Sequence, residues 1–178
     1  MAFGDIRLLA MDVDGTQTDG SMVVFEKSTI KFFNARDGLA TNIALRCGIL
    51  VFWISGGFSE AVETRAKAMG ITGLLQGCPD KGSALVRIAL ENGIPIEQTA
   101  FIGDDLNDIP AIKAAGTGIA VGDAAPECKR CADHVTEAPG GKGAVREVVE
   151  RILRERGLWE DICADFEKYA ITDKPVSQ

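Results

Sequence analysis

The sequence predicts an α/β fold: a doubly wound, Rossmann-like parallel sheet with a small β-hairpin inserted after its first strand. Three observations predict it. Strand-sized apolar runs alternate with helical segments along the chain. Within the first run, "IRLLAMDV" (6–13), apolar residues follow one another without alternation, as befits a strand covered on both faces of a parallel sheet. Acidic, hydroxyl and lysine residues follow several of these runs, at the sheet edge where such folds hold ligands.

The elements follow in order. "MVVFE" and "IKFFN" flank Lys27, Ser28 and Thr29 and form the hairpin, roughly residues 21–33. "GLATNIALRCG" is a helix stopped by Gly48, and "ILVFWI" (49–54) is the next strand. "SEAVETRAKAMG" is a helix capped by Ser59 and closed by Gly70. "GLLQ" is a short strand before the helix "KGSALVRIALENG". "TAFIG" is a strand, "LNDIPAIKAAG" a helix, and "GIAV" another strand. "DHVT" adds a short strand before the helix "GAVREVVERILRERG". Over about 158–170, Trp159, Ile162, Phe166 and Tyr169 recur at helical spacing, a stripe for core or interface packing.

The 178 residues suit one domain spanning the whole chain, long enough for a proper core. The longest apolar run is strand-sized, and Asp5 and Arg7 interrupt the first stretch, so neither a membrane span nor a signal peptide is read. The expected compartment is the cytoplasm. Five cysteines, an odd number, point to free thiols. Cys128 and Cys131 form one CxxC with His134 nearby, but a closed zinc site needs a second pair, so thiols on a short helix are expected. The net charge of −7 argues against nucleic-acid binding by phosphate neutralisation. It also makes any small anionic ligand depend on a metal or on a few placed Lys and Arg.

Asp12, Asp14 and Asp19 fall within eight residues, although carboxylates that close repel one another. Turn formation explains an isolated Asp-Gly but not acids gathered from separate strand ends. Ser55 with Gly56 ends one strand, Lys81 opens a helix, and Asp104 and Asp105 end another strand, with Asp108 one turn on. Asp12, Asp14 and Asp104 offer hard oxygen ligands, which suit Mg²⁺. Asp12 is of the type that attacks phosphorus, and Asp14 of the type that protonates a leaving alkoxide and then deprotonates water. Ser55 and Lys81 suit phosphoryl oxygens.

Taken in order, "DVDGT", "SG", the lysine and "GDDLND" resemble the four motifs of the haloacid dehalogenase superfamily of phosphatases. The resemblance implies Asp12 as nucleophile and Asp14 as acid/base. It also implies a Mg²⁺ site of Asp12, Asp104 and the Asp14 backbone carbonyl, supported by Asp105 and Asp108. "TDG", "FNARDG", "QG" before "DK", and "GGKGAVRE" further resemble the 3-deoxy-D-manno-octulosonate 8-phosphate phosphatases, over residues 6 to about 155. That implies a small phosphorylated sugar acid as partner, either the octulosonate ester or a nonulosonate 9-phosphate. Thr16-Gln17 replaces the apolar pair common in that family, and Gly57 stands where an Arg is common. The substrate carboxylate therefore needs another cation, and Arg65, Arg36, Lys142 and Arg146 are the candidates.

The stretches from Asp14 to Ser55 and from Ser55 to Lys81 are filled by the elements above, which leaves no room for a cap domain over the site. The hairpin is apolar enough to aggregate unless paired. Resembling enzymes join four such hairpins, so a homotetramer is expected. A phosphorylation-switched receiver domain shares the acidic pocket, Ser/Thr and Lys. However, it carries its phospho-accepting Asp at the third strand, where "WISGG" has none.

Overall fold

The computed structural model describes residues 2–26 and 29–169. In chain order, β1 (Leu8–Met11) leads to the hairpin β2 (Met22–Val24) and β3 (Thr29–Lys31), then to α1 (Ala35–Arg46) and β4 (Leu50–Ile54). Next come α2 (Glu60–Met69), β5 (Gly73–Leu75), α3 (Lys81–Glu91) and β6 (Thr99–Gly103). The chain continues through α4 (Ile109–Ala114), β7 (Thr117–Ala120), α5 (Pro126–Cys131) and β8 (His134–Val135). It closes, among the described residues, with α6 (Ala144–Glu155), α7 (Trp159–Ala164) and α8 (Phe166–Tyr169).

The main sheet runs β5-β4-β1-β6-β7-β8 with every pairing parallel. β1 lies between β4 and β6, and all four of its residues are buried, which is why it is apolar without alternation. β2 and β3 form a separate antiparallel pair, and Lys27 and Ser28 of their turn lie outside the described residues. No helix among the described residues is long and apolar enough to cross a membrane.

Local chemistry explains the helix ends. The Asn34 side chain accepts the Arg36 N–H at 2.8 Å to start α1, and Asp80 accepts the Ser83 N–H at 3.0 Å to start α3. α2 ends on Gly70 in the left-handed conformation, φ 62°. Ser59 occupies the N-cap position of α2 but, contrary to expectation, its side chain does not cap. Its backbone N–H instead donates to Gln76 Oε1 at 2.8 Å, which ties the loop after β4 to the one after β5.

The helix expected over "LNDIPAIKAAG" divides into a 3₁₀ turn, Leu106–Asp108, and α4, because Pro110 has no N–H for a continuous helix. The terminal stripe also divides: Trp159 and Ile162 are buried, while Phe166, past a break at Asp165, is exposed. Residue 170 lies outside the described residues. His134 is half-buried, packing edge-on against Phe3 with ring centroids 5.5 Å apart. Cys128 is buried on the short helix α5, where desolvation and the nearby Asp108 and Asp104 push its thiol up to about 12. No metal-holding group containing Cys128, Cys131 or His134 forms among the described residues.

Candidate active site

The loop after β1 starts with Asp12, whose N–H donates to the Ile102 carbonyl at 2.9 Å and so continues the β1–β6 ladder into the loop. Gly15 then turns with φ 96°, and the Asp104 carboxylate occupies the space a side chain there would need. Thr16 Oγ1 donates to Asp104 Oδ1 at 3.2 Å. Opposite, Gly140 packs so closely on the Gly15 carbonyl that no Cβ fits, and the Gly141 N–H donates to the Thr16 carbonyl at 2.9 Å. The run Gly140-Gly141 thus backs the acidic loop with bare backbone.

Asp12, Asp104 and Asp108 each offer a carboxylate oxygen, and these atoms lie within 4.8 Å of one another. Lys81, 1% exposed, pairs with Asp12 and, at 2.6 Å, with Asp108. Asp108 is fully buried, and its other oxygen accepts the N–H groups of Asp104 at 2.9 Å and Asp105 at 3.3 Å. Two negative neighbours and one cation leave the cluster short of positive charge. Burial first, then Asp108, raises Asp12 to about 6 against the pull of Lys81. Burial first, then Asp12 and Asp108, raises Asp104 to about 8. Desolvation opposes charging Lys81, but Asp12 and Asp108 outweigh it and its proton is held more tightly than usual. An all-oxygen donor set whose members resist sharing negative charge fits a hard divalent cation such as Mg²⁺.

Asp14, Asp104 and Asp105 line an open cleft of about 370 Å³ together with Gly15, Asp19, Gly20 and Asp123. Two wider grooves, of about 390 and 590 Å³, run along α2 and the hairpin and contain none of these acids. Ser55 is buried at the end of β4, its Oγ accepting the Gly57 N–H at 3.3 Å. Gly56 faces Asn107, whose Nδ2 would lie 3.8 Å from a Cβ there. Asp105 is exposed and caps the turn Leu106–Asp108.

The cationic candidates separate. Arg146 bonds Glu150 through Nε and lies over the Trp159 ring, 4.8 Å from its centroid, on the side of the terminal helices. Arg65 is covered by the base of the hairpin: its guanidinium fills the space beside Gly38 and lies 5.9 Å from the Phe33 ring. Arg36 and Lys142 are exposed. Arg36 is in the first turn of α1 and Lys142 on the loop before α6, and Asn34 Nδ2 joins the two segments by donating to the Gly141 carbonyl at 3.1 Å.

Two residues escaped the sequence reading. Asp37, the acid of "FNARDG", is fully buried and accepts the N–H groups of Gly143 at 3.1 Å and Arg146 at 2.8 Å. It caps α6 from α1 and is structural. Lys31 of β3 donates to both oxygens of Asp14, at 2.5 and 2.6 Å. No motif signals it, because a hairpin lysine is ordinarily a solvated edge residue.

The family model of the haloacid dehalogenase-like hydrolases matches residues 58–148. The 3-deoxy-D-manno-octulosonate 8-phosphate phosphatase KdsC of Escherichia coli (strain K12) is 40% identical over 158 residues, 88% of this chain and 84% of the relative. The enzyme of the same name from Haemophilus influenzae is 38% identical over 154 residues, 86% of each chain. Among solved structures, the 3-deoxy-D-manno-octulosonate 8-phosphate phosphatase from Moraxella catarrhalis, in complex with magnesium, phosphate and KDO, superposes with a TM-score of 0.89. It is 38% identical, and the match covers 92% of this chain and 95% of that one. The cobalt-bound Haemophilus influenzae phosphatase gives a TM-score of 0.89 at 36% identity, covering 93% and 98%. With the parallel sheet and acid cluster described above, these matches show that the chain belongs to the haloacid dehalogenase-like hydrolase family, in the branch that contains the 3-deoxy-D-manno-octulosonate 8-phosphate phosphatases.

Proposed function

We propose that this chain, working as one hydrolase domain, is a Mg²⁺-dependent phosphomonoesterase that hydrolyses 3-deoxy-D-manno-octulosonate 8-phosphate to the free sugar acid and phosphate. The observation that carries the reading is the Asp12–Asp104–Asp108 cluster on Lys81, beside a cleft walled by Asp14. Asp12, Asp104 and the Asp14 carbonyl would hold Mg²⁺, with Asp105 and Asp108 in support. The bound cation supplies charge that lets a phosphate dianion approach these carboxylates. Asp12 attacks phosphorus and the P–O ester bond breaks, with Asp14 giving its proton to the leaving oxygen. Water then attacks the aspartyl-phosphate, Asp14 takes the water's proton, and phosphate leaves with Asp12 restored. Lys81 and Ser55 neutralise and orient the phosphoryl oxygens.

The substrate assignment rests on the relatives' names and on two exposed cations, Arg36 and Lys142, held beside the acidic loop by the Asn34–Gly141 hydrogen bond. These are the groups we assign to the sugar-acid carboxylate, since Arg146 pairs with Glu150 and Arg65 is covered by the base of the hairpin. A steady-state screen of sugar phosphates tests it, and kcat/KM for the octulosonate ester should exceed that for hexose phosphates and for a nonulosonate 9-phosphate. Asp12→Asn, or EDTA, should abolish turnover of p-nitrophenyl phosphate; full activity in EDTA would sink the mechanism.

We also read the working unit as a homotetramer in the cytoplasm. Val23 and Ile30, paired across the hairpin, leave one of its faces apolar and exposed, and Phe58 is 83% exposed on the groove between hairpin and α2. All five cysteines are unpaired, which suits a reducing compartment.

A further inference from the structure

Lys31 presents an inversion. It sits in an exposed hairpin, next to Ile30 with its side chain outward, yet its own side chain is 6% exposed. Alternation along β3 accounts for the geometry: outward Ile30 means that Lys31 points back toward the body of the protein. There its ammonium donates to both oxygens of Asp14, at 2.5 and 2.6 Å. A lysine paired this way gives up its hydration and much of its rotamer freedom, which an ordinary surface pair does not justify.

Asp14 stands outside the Asp12–Asp104–Asp108 group, and its side chain is 31% exposed at the wall of the cleft. Apart from Lys31, no side chain among the described residues bonds its carboxylate. A group that serves a leaving oxygen in one step and a water in the next must keep one orientation through both. We propose that Lys31 is a positioning residue for Asp14, fixing the plane of its carboxylate toward the leaving group, and that the hairpin thereby sets the competence of the acid/base. This rests on the phosphatase reading above. It adds a role for the hairpin besides contact with another copy, because any shift of β3 relative to the loop after β1 moves the donor of Asp14.

The test compares Lys31→Met and Lys31→Arg with the wild type on two esters, under saturating Mg²⁺. The alkyl ester glycerol 2-phosphate has a leaving group that needs a proton, whereas p-nitrophenolate leaves without one. Lys31→Met should lower kcat/KM, which reports the steps through expulsion of the leaving group, at least tenfold on the alkyl ester and less than threefold on the aryl ester. Lys31→Arg, which keeps two donors, should recover most of the alkyl activity. Equal losses on both esters, at whatever size, would reduce Lys31 to a structural prop and overturn the proposal, as would an unchanged alkyl rate. A wild type with no metal-dependent turnover of either ester would instead overturn the phosphatase reading, and this role with it.

Discussion

Replacing Asp104 with Asn should make the metal-free protein more stable while removing its response to Mg²⁺. Asp104 shares a cluster with Asp12 and Asp108 in which carboxylate oxygens lie within 4.8 Å of one another. At that separation and an effective dielectric constant near 20, one pair of like charges costs about 3.5 kcal/mol. The proton affinity leads to a similar figure. Asp104 titrates at about 8 in the fold against 3.8 for a free side chain, and at pH 7 that difference corresponds to about 4 kcal/mol. Because Asp104 borders an open cleft, water screens part of this, and a gain of about 2–3 kcal/mol is expected. The sign follows from a raised carboxylate: the folded state binds the extra proton, so wild-type stability falls as pH rises from about 4 to about 8 and levels beyond. The amide of the Asp104→Asn variant has no such proton, so the gap between the two proteins should open across that window. Its Oδ1 can still accept from Thr16 Oγ1, which keeps the loop in place. Urea unfolding in EDTA at several pH values measures the gap, and thermal unfolding at pH 8 should show the variant higher by roughly 4–12 °C. Saturating Mg²⁺ should raise the wild type and leave the variant where it was. A variant less stable than the wild type in EDTA at pH 8, or one with a parallel pH dependence, would refute the argument that the cluster is strained until a cation enters.

Asp37→Ala removes the acceptor for two N–H groups at the start of α6 and should cost about 2–4 kcal/mol, read as a lower urea midpoint at unchanged slope. A midpoint equal to the wild type's would show that α1 does not anchor α6 in this way. For the assembly, light scattering at micromolar concentration should give about four times the 18.9 kDa chain mass. Val23→Asp with Ile30→Lys should shift it toward monomer; a monomeric wild type would discard the tetramer.

The sheet was legible because a strand buried on both faces needs apolar residues at every position, and β1 and β6 show that pattern openly. The acids were legible for a related reason: in a doubly wound fold the strand ends converge, so Asp12, Ser55, Lys81 and Asp104 could be placed together from order alone. What sequence could not supply is the partner of each charge. Asp37 reads as one more exposed acid until α1 packs on α6 and buries it over two free N–H groups. Arg146 reads as a ligand contact until Trp159 and Glu150 claim its guanidinium. Lys31 lies 17 residues from Asp14, and only the way the hairpin folds back onto the first loop brings them together. Burial along a strand is a local, periodic property that composition records. Pairing between side chains depends on angles and distances between elements, which only the tertiary packing decides.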